Sequence, residues 1–216
     1  MSELDESEPP EILARNLSAA ANLLAGATAF FFLAFVFAYF YLRSLNNAGL
    51  WHPKHVDASL TWGTIVTACI VASAVLVRLG LADHRAERRP AWRVKGAAAL
   101  AVGLLALVLQ VVEWTQLDFG PADGGFAAVF YGWTAFLFLF VLGTLLWLEM
   151  TVATSLRYRN VEGDAPPGEA SGDPHRTAHD IRDPLSLVRA ELVGLTFYWT
   201  FLAGIAVITW VVLYLI

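Results

Sequence analysis

Charge is scarce in this chain. Only 15% of its 216 residues are Asp, Glu, Lys or Arg, against about 25% in soluble domains, so a soluble enzyme is excluded. Cysteine is nearly absent: Cys69 stands alone, which rules out an intrachain disulfide or a CxxC metal knuckle and leaves the redox compartment unread. A basic surplus is missing too. The net charge of −5 is spread over tails and loops, which excludes a nucleic-acid surface. Histidine is kept out of the apolar runs: His52, His55, His84, His175 and His179 are all assigned to loops. A membrane haem or copper centre needs imidazole or thiolate ligands projecting into the bundle, and this chain offers none. The pairs His52/His55 and His175/His179 have ligand-like spacing, but a pair without further ligands reads as ordinary loop histidines.

What the chain has instead is apolar length. Hydrophobic residues make up 57%, mean hydropathy is +0.58, and the runs reach the roughly 20 residues that cross a hydrocarbon core of about 30 Å. They predict an all-α membrane bundle of five spans, near 17–42, 59–82, 94–117, 126–154 and 192–216. An acidic tail, 1–16, precedes the membrane domain of 17–216. A mobile cytoplasmic linker is expected near 157–188, where Gly163-Asp164-Ala165-Pro166-Pro167-Gly168 collects turn formers. The acidic flank and the length of the first run set it apart from a cleaved signal.

Twelve of the 14 Lys and Arg fall on the side shared by the N-terminal tail and the second and fourth loops; Arg43 and Lys54 fall opposite. The positive-inside rule therefore predicts a cytoplasmic N-terminus and an outside C-terminus. Trp62, Trp92, Trp114 and Trp210 lie near predicted span ends, where interfacial indoles are expected. Ala21, Ala25 and Ala29, and Ala128 with Gly132, form small-residue stripes suited to close helix packing.

Ionisable side chains at membrane depth are functional candidates by default. Glu113 is the foremost, about one turn inside the outer end of span three, with Gln110 three residues earlier on the same face and able to hydrogen-bond it. A structural acid outweighs a proton-handling one at that helix-terminal position. Arg78, Glu149 and Glu191 fall near cytoplasmic span ends, where snorkelling or mutual pairing is the ordinary reading.

Four segments in register resemble a known family. They are Phe30-Phe31-Phe32 through Tyr39-Phe40-Tyr41-Leu42-Arg43 with Trp51-His52-Pro53; Gln110-Val111-Val112-Glu113-Trp114; Phe130-Tyr131-Gly132-Trp133-Thr134-Ala135-Phe136; and Glu191 with Tyr198-Trp199-Thr200-Phe201. Together they resemble the third subunit of haem-copper cytochrome c oxidases, in the short five-helix form. The resemblance implies a non-catalytic subunit in the plasma (inner) membrane of a prokaryote. It would bind no cofactor itself, pack against a haem- and copper-bearing subunit I and subunit II, and hold phospholipid in a cleft between helix groups. Gln110, Glu113, Glu191, Tyr198 and Trp199 are the family-matching polar and aromatic positions. The departures mark a divergent member. The family's early glutamate, linked with support of proton uptake in the catalytic subunit, is Thr28; its His-Gly-x-His is Leu137-Phe138-Leu139-Phe140; its last-helix His and Asp are Thr200 and Ala203. A subunit III-like protein of nitric oxide reductases is the close alternative. A small transporter or channel is a distant one, for want of broken helices or charge rings.

Overall fold

The structure is a computed structural model that describes residues 10–46, 49, 51–52, 56–86, 88–157 and 184–216. Among them, regular structure is entirely helical: α1 Pro10–Ser44, α2 Leu60–Arg85, α3 Arg89–Thr115, α4 Gly125–Arg157 and α5 Pro184–Trp210, which ends in a π-helical turn over Val211–Leu215. All five are long and apolar enough to cross a membrane, as the hydrophobic runs require when no water is present to take up backbone polar groups.

The helices outrun the hydrophobic stretches at most ends, because a helix persists into the head-group layer where charged side chains are tolerated. One consequence corrects the sequence reading. His84 is not in a loop: α2 continues through it to Arg85, and its ring lies edge-on to Trp92 at 6.2 Å. The extension is held by an ion pair between Asp83 on α2 and Lys95 on α3. Of the expected linker, 158–183 lie outside the described residues, Arg157 closes α4, and α5 takes up the rest. Residues 1–9 of the acidic tail are likewise outside, and 10–16 open α1.

Helices α2 to α5 form a closed ring, each packing on the next, with α2 and α3 in the most extensive contact; α1 lies in the furrow between α4 and α5. Ala21 and Ala25 are buried in α1, and a side chain at Gly194 of α5 would touch Ala21. The second small-residue stripe behaves differently. Ala128 is exposed while a side chain at Gly132 would meet Phe35, so only one of the two residues serves packing. Aromatic rings knit α1 to α4: Phe35 stacks on Trp133 at 5.9 Å, Phe31 meets Phe136 at 4.8 Å, and Phe140 reaches Phe32 at 5.5 Å. Trp92, in the first turn of α3, is turned into the bundle: it is fully buried and donates its indole N–H to Ser155 on α4 at 3.0 Å.

Candidate functional site

Helix α3 brings Gln110 and Glu113 to one face near the end opposite the basic one. Glu113 is fully buried. Its Oε2 accepts a hydrogen bond from Gln110 Nε2 at 2.8 Å, and its Oε1 accepts one from the Tyr214 hydroxyl at 2.7 Å. Both carboxyl oxygens are thereby engaged, which is what a polar group removed from water requires. Tyr214 comes from the π-helical turn that closes α5. Its ring lies flat over Gly63 of α2, where any side chain would collide with it, and edge-on to Phe130 of α4 at 5.8 Å. Four helices thus fix one phenol. The outer wall of the carboxylate is a cavity of about 520 Å³ lined by Asp57, Ser59, Trp62, Glu113, Gln116, Leu117 and Asp118. The neighbouring Trp114 donates to Thr134 on α4 at 3.1 Å, and Tyr131 donates to the Phe119 carbonyl at 2.9 Å, closing the α3–α4 connection over the site.

Tyr198 and Trp199 do not join this cluster. They sit about 16 residues from Tyr214 along α5, roughly 24 Å at a helical rise of 1.5 Å per residue. The Tyr198 hydroxyl and Thr28 Oγ1 on α1 are 3.0 Å apart in a buried hydrogen bond. Trp199 donates its N–H to Ser73 Oγ on α2 at 3.2 Å, and Ser73 in turn donates to the Ala99 carbonyl of α3 at 2.7 Å. One serine hydroxyl therefore links three helices. Glu191 is half-buried, a further seven residues toward the start of α5; Glu149 is exposed on α4 and Arg78 exposed on α2. Among the described residues these three form no ion pair with one another. They lie on three different helices, α2, α4 and α5, so the expected mutual pairing is not formed among the described residues.

The five family-matching positions therefore divide into two polar knots, Gln110–Glu113–Tyr214 and Tyr198–Thr28 beside Trp199–Ser73, with Glu191 apart from both. Sequence reasoning missed Tyr214, Ser73 and Asp83–Lys95. A signal for the first existed: with five alternating spans, Glu113 and Tyr214 both stand at the outer ends of their runs and so at one depth. Nothing marks Ser73 within an apolar run. His52 lies 3.8 Å from Asp57 in an exposed pair; His55, His175 and His179 lie outside the described residues. Among the described residues, no three of His, Cys, Asp and Glu gather as a metal site. Comparison of the chain with protein-family models and with curated proteins finds no match.

Proposed function

We propose that this chain is a non-catalytic integral subunit of a respiratory haem-copper terminal oxidase, of the subunit III kind, which stabilises the catalytic subunit rather than carrying electrons. The observation that supports this reading most is the use made of the motif residues. Gln110, Glu113, Tyr198 and Trp199, which carry the resemblance, are all committed to hydrogen bonds, three of them bridging between helices. Positions that depart from the family are repacked rather than left open. Thr28 is paired with Tyr198, Phe138 meets Trp114 at 5.6 Å, and Phe140 packs on Phe32. A chain that has exchanged polar positions for such packing while keeping its interhelical struts fits a scaffold role. Helix α1 turns Leu23, Phe30, Leu33 and Phe37 outward, each more than 60% exposed, and this is the face we assign to subunit I.

The test is a mild-detergent pull-down of the chain from its native membrane, with a reduced-minus-oxidised optical spectrum and metal analysis. Haem with copper is the expected outcome. Haem with non-haem iron would move the chain to a nitric oxide reductase, and a colourless preparation that survives solubilisation intact would overturn the reading.

A further inference from the structure

Between its start at Gly125 and the Arg157 that ends it, helix α4 carries a single charged side chain, Glu149. That side chain is exposed. It has no hydrogen-bond or ion-pair partner among the described residues. It also stands inside a spanning segment, since Arg157 lies a further eight residues along, about 12 Å at 1.5 Å per residue. Packing against α3 gives its level in the bundle. A side chain at Gly96 would collide with Val152, and one at Gly103 with Leu145, so Glu149 is level with the stretch 97–102 of α3. That stretch is free of charge. The nearest cations on α3, Arg93 and Lys95, stand closer to the helix start, and both are committed. Arg93 donates to Ser155 at 3.1 Å, and Lys95 pairs with Asp83.

A glutamate has a shorter stem than lysine or arginine and cannot snorkel as far. Ionisable groups in spanning segments face the bundle interior or a partner that pairs with them; within its own chain Glu149 does neither. The surface around it is otherwise apolar. Leu146 and Met150 are 51% and 69% exposed, and a side chain at Gly143 would meet nothing within 4 Å. We propose that this outer face of α4 docks a transmembrane helix of a partner protein, whose lysine or arginine pairs with Glu149. Charge complementarity selects that occupant. An anionic leaflet would bring phosphate to a carboxylate. A second copy packed α4 to α4 about a two-fold axis would set two Glu149 side chains at one depth. The face is separate from the outward side of α1 assigned to subunit I, and the proposal holds whatever complex the chain joins.

Site-specific photo-crosslinking of the full-length chain in its native membrane tests it. Benzoylphenylalanine replaces Leu146 or Met150, and the captured peptide is identified by mass spectrometry. The expected capture is an apolar span of a different protein with a lysine or arginine near one end. Glu149→Gln is expected to lower its yield roughly tenfold. Glu149→Lys abolishes capture, and exchanging the captured span's cation for glutamate restores it. Arg78→Gln, which removes an exposed charge of α2, leaves the yield within about twofold. Glu149 has no partner in the chain, so its variants are expected to fold, with helix content checked by circular dichroism. Capture of lipid alone, of a second copy, or of a span without lysine or arginine would each overturn the proposal. So would no capture from either position, or equal yields from the wild type and Glu149→Gln. Charge-dependent capture in a preparation without haem would overturn the oxidase reading and leave this one standing.

Discussion

At Glu113 the chemistry is decided by donors. Two of them, the Gln110 amide and the Tyr214 phenol, converge on one buried carboxyl group. Removing the acceptor strands both, and a stranded buried donor costs about 1–3 kcal/mol. Glu113→Ala is therefore expected to lower the unfolding free energy of the detergent-solubilised chain by about 2–4 kcal/mol, void included. Tyr214→Phe loses one bond but keeps the ring over Gly63, and interhelical hydrogen bonds in membranes average roughly 0.6 kcal/mol, so its effect is smaller. Gly63→Ala displaces that ring and is expected to cost more than Tyr214→Phe, about 1–3 kcal/mol. Thermal unfolding in one detergent checks the order; Tyr214→Phe as the worst of the three would show that the hydroxyl matters more than its placement. Glu113→Gln separates structure from proton traffic. An amide at 113 offers one acceptor oxygen to two donors, so under the proposed function the yield of assembled complex falls severalfold while turnover per complex stays within about twofold. Full yield with much reduced turnover would assign Glu113 a proton role instead.

At the scale of helices, existence was legible and lateral order was not. Five runs near 20 residues are unambiguous in a chain with so little charge, and the acid at 113 announced itself because ionisable groups are costly there. Which face of each helix turns inward could not be read in the same way. In lipid both the core face and the outer face are apolar, so the amphipathic signal that orients a soluble helix is lost. Phe30 and Phe32 are the same residue two positions apart, yet one is 80% exposed and the other 2%. Ser73 shows the same blindness in reverse: a single hydroxyl in an apolar stretch reads as incidental, and the fold makes it the junction of α2, α3 and α5. Ser73→Ala removes the acceptor of Trp199 and the donor to Ala99 at once. It is expected to destabilise by about 1–2 kcal/mol. Thr115→Ala, whose exposed hydroxyl bonds only the Val112 carbonyl of its own helix, is expected to change nothing measurable. Equal effects of the two in the same unfolding assay would remove Ser73 from that role.

At the scale of the molecule, the two ends differ in kind. One carries Arg78, Arg85, Arg88, Arg93 and Arg157 and the Asp83–Lys95 pair; the other carries Glu113, its polar cavity and the connection over 116–124. The bundle alone does not say which end meets the cytoplasm; the charge asymmetry predicts the basic end by the positive-inside rule. The expected orientation puts the Glu113 cavity outside. A single cysteine decides it. In a Cys69→Ala background, Ala122→Cys places a thiol in the exposed α3–α4 connection, and Arg88→Cys places one between α2 and α3. A membrane-impermeant maleimide is expected to label position 122 in intact cells and position 88 only after permeabilisation. The reverse pattern would invert the bundle and turn the Glu113 cavity toward the cytoplasm.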